Sequence, residues 1–251
     1  MAKLIIGTNK QTVVPAIVRD KSPEIYRVFR VNNGKIENSI STPFMPLPST
    51  ATDIESYCYF GAYKNTPASV LSGIIDLSSL TTLSGVSACN YMFYNCDGIT
   101  SVDLSGLTTV SGDSACLNMF YNCDGITSVD LSGLTTISGQ SACYSMFGYC
   151  TGLTSVDLSG LTSLTGFNCC SSMFERCQSL TSLSFPALTS NSFGVYKNQF
   201  TNLISGVTGC TIHLPSNLDP QSGSTVISSL TGYPNFGGTN TTVLFDLPAT
   251  E

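Results

Sequence analysis

The chain has 251 residues, with 10 Lys+Arg against 16 Asp+Glu and a net charge of −6. That balance excludes the usual nucleic-acid binder, whose affinity comes from Lys and Arg neutralising phosphates. A hydrophobic content of 42% excludes a disordered chain, and a single His leaves few reagents for acid–base or zinc chemistry.

In chain order, the amino-terminal stretch MAKLIIGTNKQTVVPAIVRD holds only Leu4, Ile5 and Ile6 as an apolar run, too short for a secretory signal. Strands are expected at Lys3–Ile6, Thr12–Val18, Tyr26–Val31 and Lys35–Ser39, with a hairpin turn at Asn32-Asn33-Gly34. Ser41–Thr52 reads as a linker. Residues 1–64 carry eight basic against five acidic side chains, a net +3, and residues 65–251 carry two against eleven, a net −9. No stretch approaches the about 18 apolar residues that a membrane span needs.

The middle of the chain is a repeat. MFYNCDGITSVDLSGLTT occurs at Met92–Thr109 and again, unchanged, at Met119–Thr136, which sets a period of 27. The register continues at Met146 and Met173, decays after Phe200, and extends back to Ile75-Asp76-Leu77. In one unit, Ser101–Leu104 alternates polar and apolar residues, as a half-buried strand does. Ser105-Gly106 supplies a turn, and Leu107 and Val110 point inward. Cys116, Met119, Phe120 and Cys123 then sit at offsets 0, 3, 4 and 7, one face of an expected short helix that Asp124-Gly125 ends.

One unit cannot bury both its strand and this stripe, but stacked units can. Stacking places Leu77, Leu104, Leu131, Leu158 and Phe185 in one column, and Leu80, Leu107, Leu134, Leu161 and Leu188 in another. The expected fold is α/β: a solenoid with a parallel sheet on the concave side and bulkier short helices opposite, plus a small β-rich N-terminal region. The expected divisions are residues 1–64, a capping or attachment region; 65–215, the solenoid; and 216–251, a C-terminal cap with a short helix at Thr225–Leu230 and a strand at Thr242–Leu247.

The MF-x-x-C-x-x-L-T-S-x-D-L-S-G-L pattern resembles the BspA-like leucine-rich repeats of bacterial surface proteins, over about residues 70–215. The resemblance implies an adhesive or partner-binding solenoid without catalytic activity. The sequence departs from typical members in showing neither an export signal nor an anchoring module.

Eleven cysteines include two columns, Cys89/Cys116/Cys143/Cys170 and Cys96/Cys123/Cys150/Cys177, with Cys58, Cys169 and Cys210 apart. On helices, columns seven residues apart would lie about 10.5 Å from each other, and neighbouring helices about 8–10 Å. Both exceed the Cα separation of about 4.4–6.8 Å that a disulfide needs. Without a C-x-x-C spacing for zinc, core thiols folded in a reducing compartment are expected.

On the strand's solvent side, Asp76, Asp103, Asp130 and Asp157 form a column that Ser184 and Thr211 continue. Ile74, Ser101, Ser128, Ser155, Ser182 and Gly209 form its neighbour. The expected ligand-binding surface comprises Asp76, Ser101, Asp103, Ser128, Asp130, Ser155, Asp157, Ser182 and Ser184. A flat ladder offers too few oxygens for calcium, which wants about six to eight; neither a metal nor any other cofactor is expected. His213 has no adjacent nucleophile pattern, so no catalytic residue is expected.

The function expected is recognition, with a protein or glycan on another surface as partner and residues 1–64 as a possible attachment to a larger assembly; neither nucleic acid nor a membrane span is expected. A repeat like those of surface proteins, unpaired thiols and no export signal together point to a bacteriophage virion component. A truncated cell-surface adhesin and an intracellular scaffold for a basic partner are the alternatives.

Overall fold

The computed structural model describes residues 12–18, 25–32 and 35–38 by their backbone, and residues 53–250 apart from 55, 57, 58, 60, 70 and 234. Three N-terminal strands, β1 (Thr12–Val18), β2 (Ile25–Asn32) and β3 (Lys35–Asn38), form an antiparallel sheet in that order. Asn32 pairs with Lys35, so the hairpin falls where the Asn-Asn-Gly signal places it. The expected strand at Lys3–Ile6, the linker and Cys58 lie outside the described residues.

The repeats stack as rungs of a solenoid. β4 (Gly73–Asp76), β6 (Ile99–Asp103), β8 (Ser128–Asp130) and β10 (Ser155–Asp157) pair side by side in one parallel sheet. β5 (Thr82–Leu83), β7 (Thr109–Val110), β9 (Thr136–Ile137) and β11 (Ser163–Leu164) form a second. In register, Val102 lies beside Val129 and Val129 beside Val156, one repeat apart. The stack then resumes as β12 (Ser182–Ser184), β13 (Thr211–Pro215) and β14 (Thr242–Leu247), also parallel. The strand expected at Thr242–Leu247 pairs with β13 at the end of the stack, and only a short 3-10 turn, Ile227–Ser229, stands where a helix is expected.

The helix expected in each repeat does not form. Ser114, Asn118 and Asn122 adopt left-handed backbone conformations (φ 53°, 53° and 58°), which an α-helix cannot contain at every fourth position. Alternate amides take two routes. Ala115, Leu117 and Met119 donate three residues back, to Gly112, Ser114 and Cys116, while Cys116, Asn118 and Phe120 donate to Ala142, Tyr144 and Met146 of the next rung. The segment is therefore a third hydrogen-bonded face of the coil. No bulky helices stand opposite the sheet to set a concave side, because this face is bonded rung to rung just as the strands are.

The inward spacing nevertheless survives: Cys116, Met119, Phe120 and Cys123 are all fully buried, as are the leucine columns. Tyr63, Phe93, Phe120, Phe147 and Phe174 stack down the interior with ring centroids 5.1, 5.0, 5.3 and 6.0 Å apart. Such ring pairs add about 0.5–1.5 kcal/mol each beyond area burial. The turn glycine serves close approach: a Cβ on Gly133 would run into the Ser105 carbonyl of the rung before.

All ten described cysteines are buried thiols. Helix spacing, the reason expected for this, lapses with the helices. One column instead hydrogen-bonds the backbone: Cys123, Cys150 and Cys177 donate to the carbonyls of Phe93, Phe120 and Phe147 at 3.0, 3.0 and 3.1 Å. Burial pushes these thiols up and holds them neutral.

Candidate functional site

Alternation along β4, β6, β8 and β10 turns one side of each strand outward. Val102 and Val129 point into the core, and the residues flanking each valine face solvent. Register then brings like residues together. Ser101 lies beside Ser128 and Ser128 beside Ser155; Asp76, Asp103, Asp130 and Asp157 follow one another in the adjoining column. Neighbouring strands are about 4.8 Å apart, so the two columns form a continuous polar ribbon.

An open groove of about 680 Å³ runs along this ribbon. Ser101, Asp103, Ser128, Asp130, Ser155, Asp157 and Ser184 line it, joined by Ile74, which the sequence places on the serine column, and by Ser159 and Pro186, which it does not single out. Asp76 and Ser182 stand on the same columns but outside the groove wall. Ile74 is 70% exposed and gives the ribbon an apolar end.

Each aspartate also serves the fold. Asp103 Oδ1 accepts the Ser105 amide at 3.0 Å and the Ser105 hydroxyl at 2.7 Å. Asp130 and Asp157 accept the amides of Ser132 and Ser159, both at 2.9 Å. These Asx turns carry the chain out of the strand. One carboxylate oxygen is thereby committed; Oδ2 of Asp103, Asp130 and Asp157 takes no hydrogen bond among the described residues and is free to meet a partner. The Ser78 hydroxyl and amide hold the Asp76 carboxyl below its ordinary range, so it stays ionised near neutrality.

One register expectation is corrected. Ser184 lies beside His213, and Ser182 beside Thr211. His213 therefore continues the aspartate column and Thr211 the serine column, because the step from β12 to β13 is longer than the repeat period. His213 Nδ1 sits 2.8 Å from Asp246 Oδ2, bringing a Ser, a His and an Asp onto adjacent strands. No hydrogen bond joins Ser184 to His213, so the row lacks the nucleophile–base contact of a triad. Among the described residues no three His, Cys, Asp or Glu side chains cluster as metal ligands would, and no helix is long and apolar enough to cross a membrane.

Stacked parallel rungs with buried leucine columns and one polar sheet face define a leucine-rich-repeat solenoid. A family model described as a BspA type leucine-rich repeat region matches residues 28–159 and 64–205. The chain belongs to that family. No curated protein and no solved structure matches it. Repeats of this family are protein-binding elements, and the fold is typically non-catalytic.

Proposed function

We propose that the chain is a non-enzymatic recognition protein whose Ser/Asp sheet face contacts a protein or glycan on another surface. The groove carries this reading. Three carboxylates with an unengaged oxygen and a row of hydroxyls line about 680 Å³ of open space, offering acceptors and donors at strand spacing to a hydroxyl-rich or cationic partner.

We further propose that it is displayed on a bacteriophage particle. Ten buried thiols suit folding in a reducing interior, and the basic residues 1–64 suit attachment to a larger assembly. Mass spectrometry of purified particles tests the location: the chain should be found there, and its recovery only from cell-envelope fractions would exclude it.

The binding face is tested with the triple variant Asp103→Asn, Asp130→Asn, Asp157→Asn. Asparagine Oδ1 still accepts the serine amide, so the turns persist while the charge is lost. Binding of the purified chain to intact bacterial cells and to arrayed glycans should fall about tenfold, with an unchanged circular dichroism spectrum. Wild-type binding by this variant would refute the assignment.

A further inference from the structure

A second surface lies on the turn face, away from the groove. Tyr94 and Tyr121, one repeat apart, stack at 5.3 Å with an interplanar angle of 3°, and Tyr149 continues the row at 4.9 Å, tilted by 38°. The chain's own cations occupy both ends. Lys64 Nζ sits 4.5 Å from the Tyr94 centroid and 4.8 Å from that of Tyr91, and Arg176 Cζ sits 5.2 Å from that of Tyr149. The ring quadrupole attracts cations in this way.

The repeat register departs from tyrosine along this row. Positions 94, 121, 148 and 175 hold Tyr, Tyr, Gly and Glu. Gly148 has no side chain, and a Cβ there would press within 2.9 Å of the Tyr121 ring. A cleft of about 340 Å³ remains, walled by Tyr91, Tyr94, Tyr121 and Tyr144, with Asn118 and Glu175 among its lining. Burial, and then the Tyr149 hydroxyl, push the Tyr121 phenol up, so the ring stays neutral and Glu175 supplies the local negative charge.

We propose that this cleft is a docking site for a lysine or arginine side chain presented by a basic segment of a partner protein. Two observations identify the occupant. The same row already holds an ammonium and a guanidinium at its ends, and residues 65–251 carry a net −9 that favours approach of a basic segment. Tyr94 and Tyr121 cover each other's faces, so an incoming charge meets the Glu175 carboxylate and the Tyr144 ring instead. The opening beside Glu175 suits a slender alkyl chain with a charged tip. The inference stands whether or not the sheet face binds as proposed.

The test uses the full chain with ¹³C-labelled tyrosine rings and a synthetic Gly/Ser peptide carrying three central Lys or Arg residues. Ring signals of Tyr121 and Tyr144 should shift on titration. Tyr144→Ser and Glu175→Gln should each weaken binding about two- to fivefold. Ser128→Ala on the sheet face, which removes no charge and lies outside the cleft lining, should leave it unchanged. Tyr144 is 37% exposed, so its replacement spares the core. Unmoved ring signals would overturn the proposal. So would undiminished affinity in Tyr144→Ser, which would mark generic attraction to an acidic chain. A neutral oligosaccharide that shifts the same signals when the peptide does not would overturn it in favour of a glycan site.

Discussion

Phe120 sits midway down the interior ring stack and is fully buried, with its centroid 5.0 Å from that of Phe93 and 5.3 Å from that of Phe147. Phe120→Ala removes two ring contacts worth about 1–3 kcal/mol together and leaves a cavity. The rungs are bonded to each other along three faces and cannot close onto it. The full range for such a truncation, about 3–5 kcal/mol, is therefore expected. Phe120→Leu keeps most of the volume and loses the stack, at about 1–2 kcal/mol. Urea unfolding followed by circular dichroism and tyrosine fluorescence measures both, since the chain has no Trp. Because each rung contacts only its neighbours, hydrogen exchange should rise first in the rungs containing Phe93, Phe120 and Phe147. A cost below about 1 kcal/mol for the alanine variant would refute the view that each rung completes its interior against the next.

Gly133→Ala forces a Cβ onto the Ser105 carbonyl and should cost about 1–3 kcal/mol, read from the same urea transition; an unchanged midpoint would contradict the close approach. High pH should destabilise the fold through its thiols. Burial raises Cys96 and Cys210 to about 11, whereas thiols of the unfolded chain ionise near the ordinary value of about 8.5. Below that value both states keep their protons and stability is full. Above it the unfolded chain releases protons that the folded one retains, so each such thiol costs about 1.4 kcal/mol per pH unit until about pH 11. Urea midpoints should agree between pH 7 and 8 and fall by pH 10; equal midpoints at pH 7 and 10 would refute the buried neutral thiols.

The repeat period was sufficient to place the strands, the leucine columns and the Ser/Asp ribbon, because exact repetition in a stacked coil is also spatial register. The turn face was misread because offsets of 0, 3, 4 and 7 turn side chains to one side in a helix and also in this series of left-handed turns. The distinguishing signal was present in Ser114, Asn118 and Asn122, Ser or Asn at every fourth position where the backbone turns left-handed. The period assigns Thr211 and Gly209 to the two columns, whereas His213 and Thr211 take those places, because the repeat has decayed and its step there is longer. The tyrosine cleft was not legible at all: its lining comes from four rungs, and no single repeat contains the set.

Both proposed surfaces require the rungs to lie in the register described. Ser128→Cys combined with Ser155→Cys tests it directly, because these exposed residues face each other on paired strands and the described native thiols are buried. Their Cα atoms, at strand spacing of about 4.8 Å, fall within disulfide range. Mild oxidation of the folded chain should join these two positions quantitatively within the monomer, as peptide mapping would show. Failure to join them while the chain is folded, or an equal yield for the offset pair Ser128→Cys with Asp157→Cys, would contradict the register.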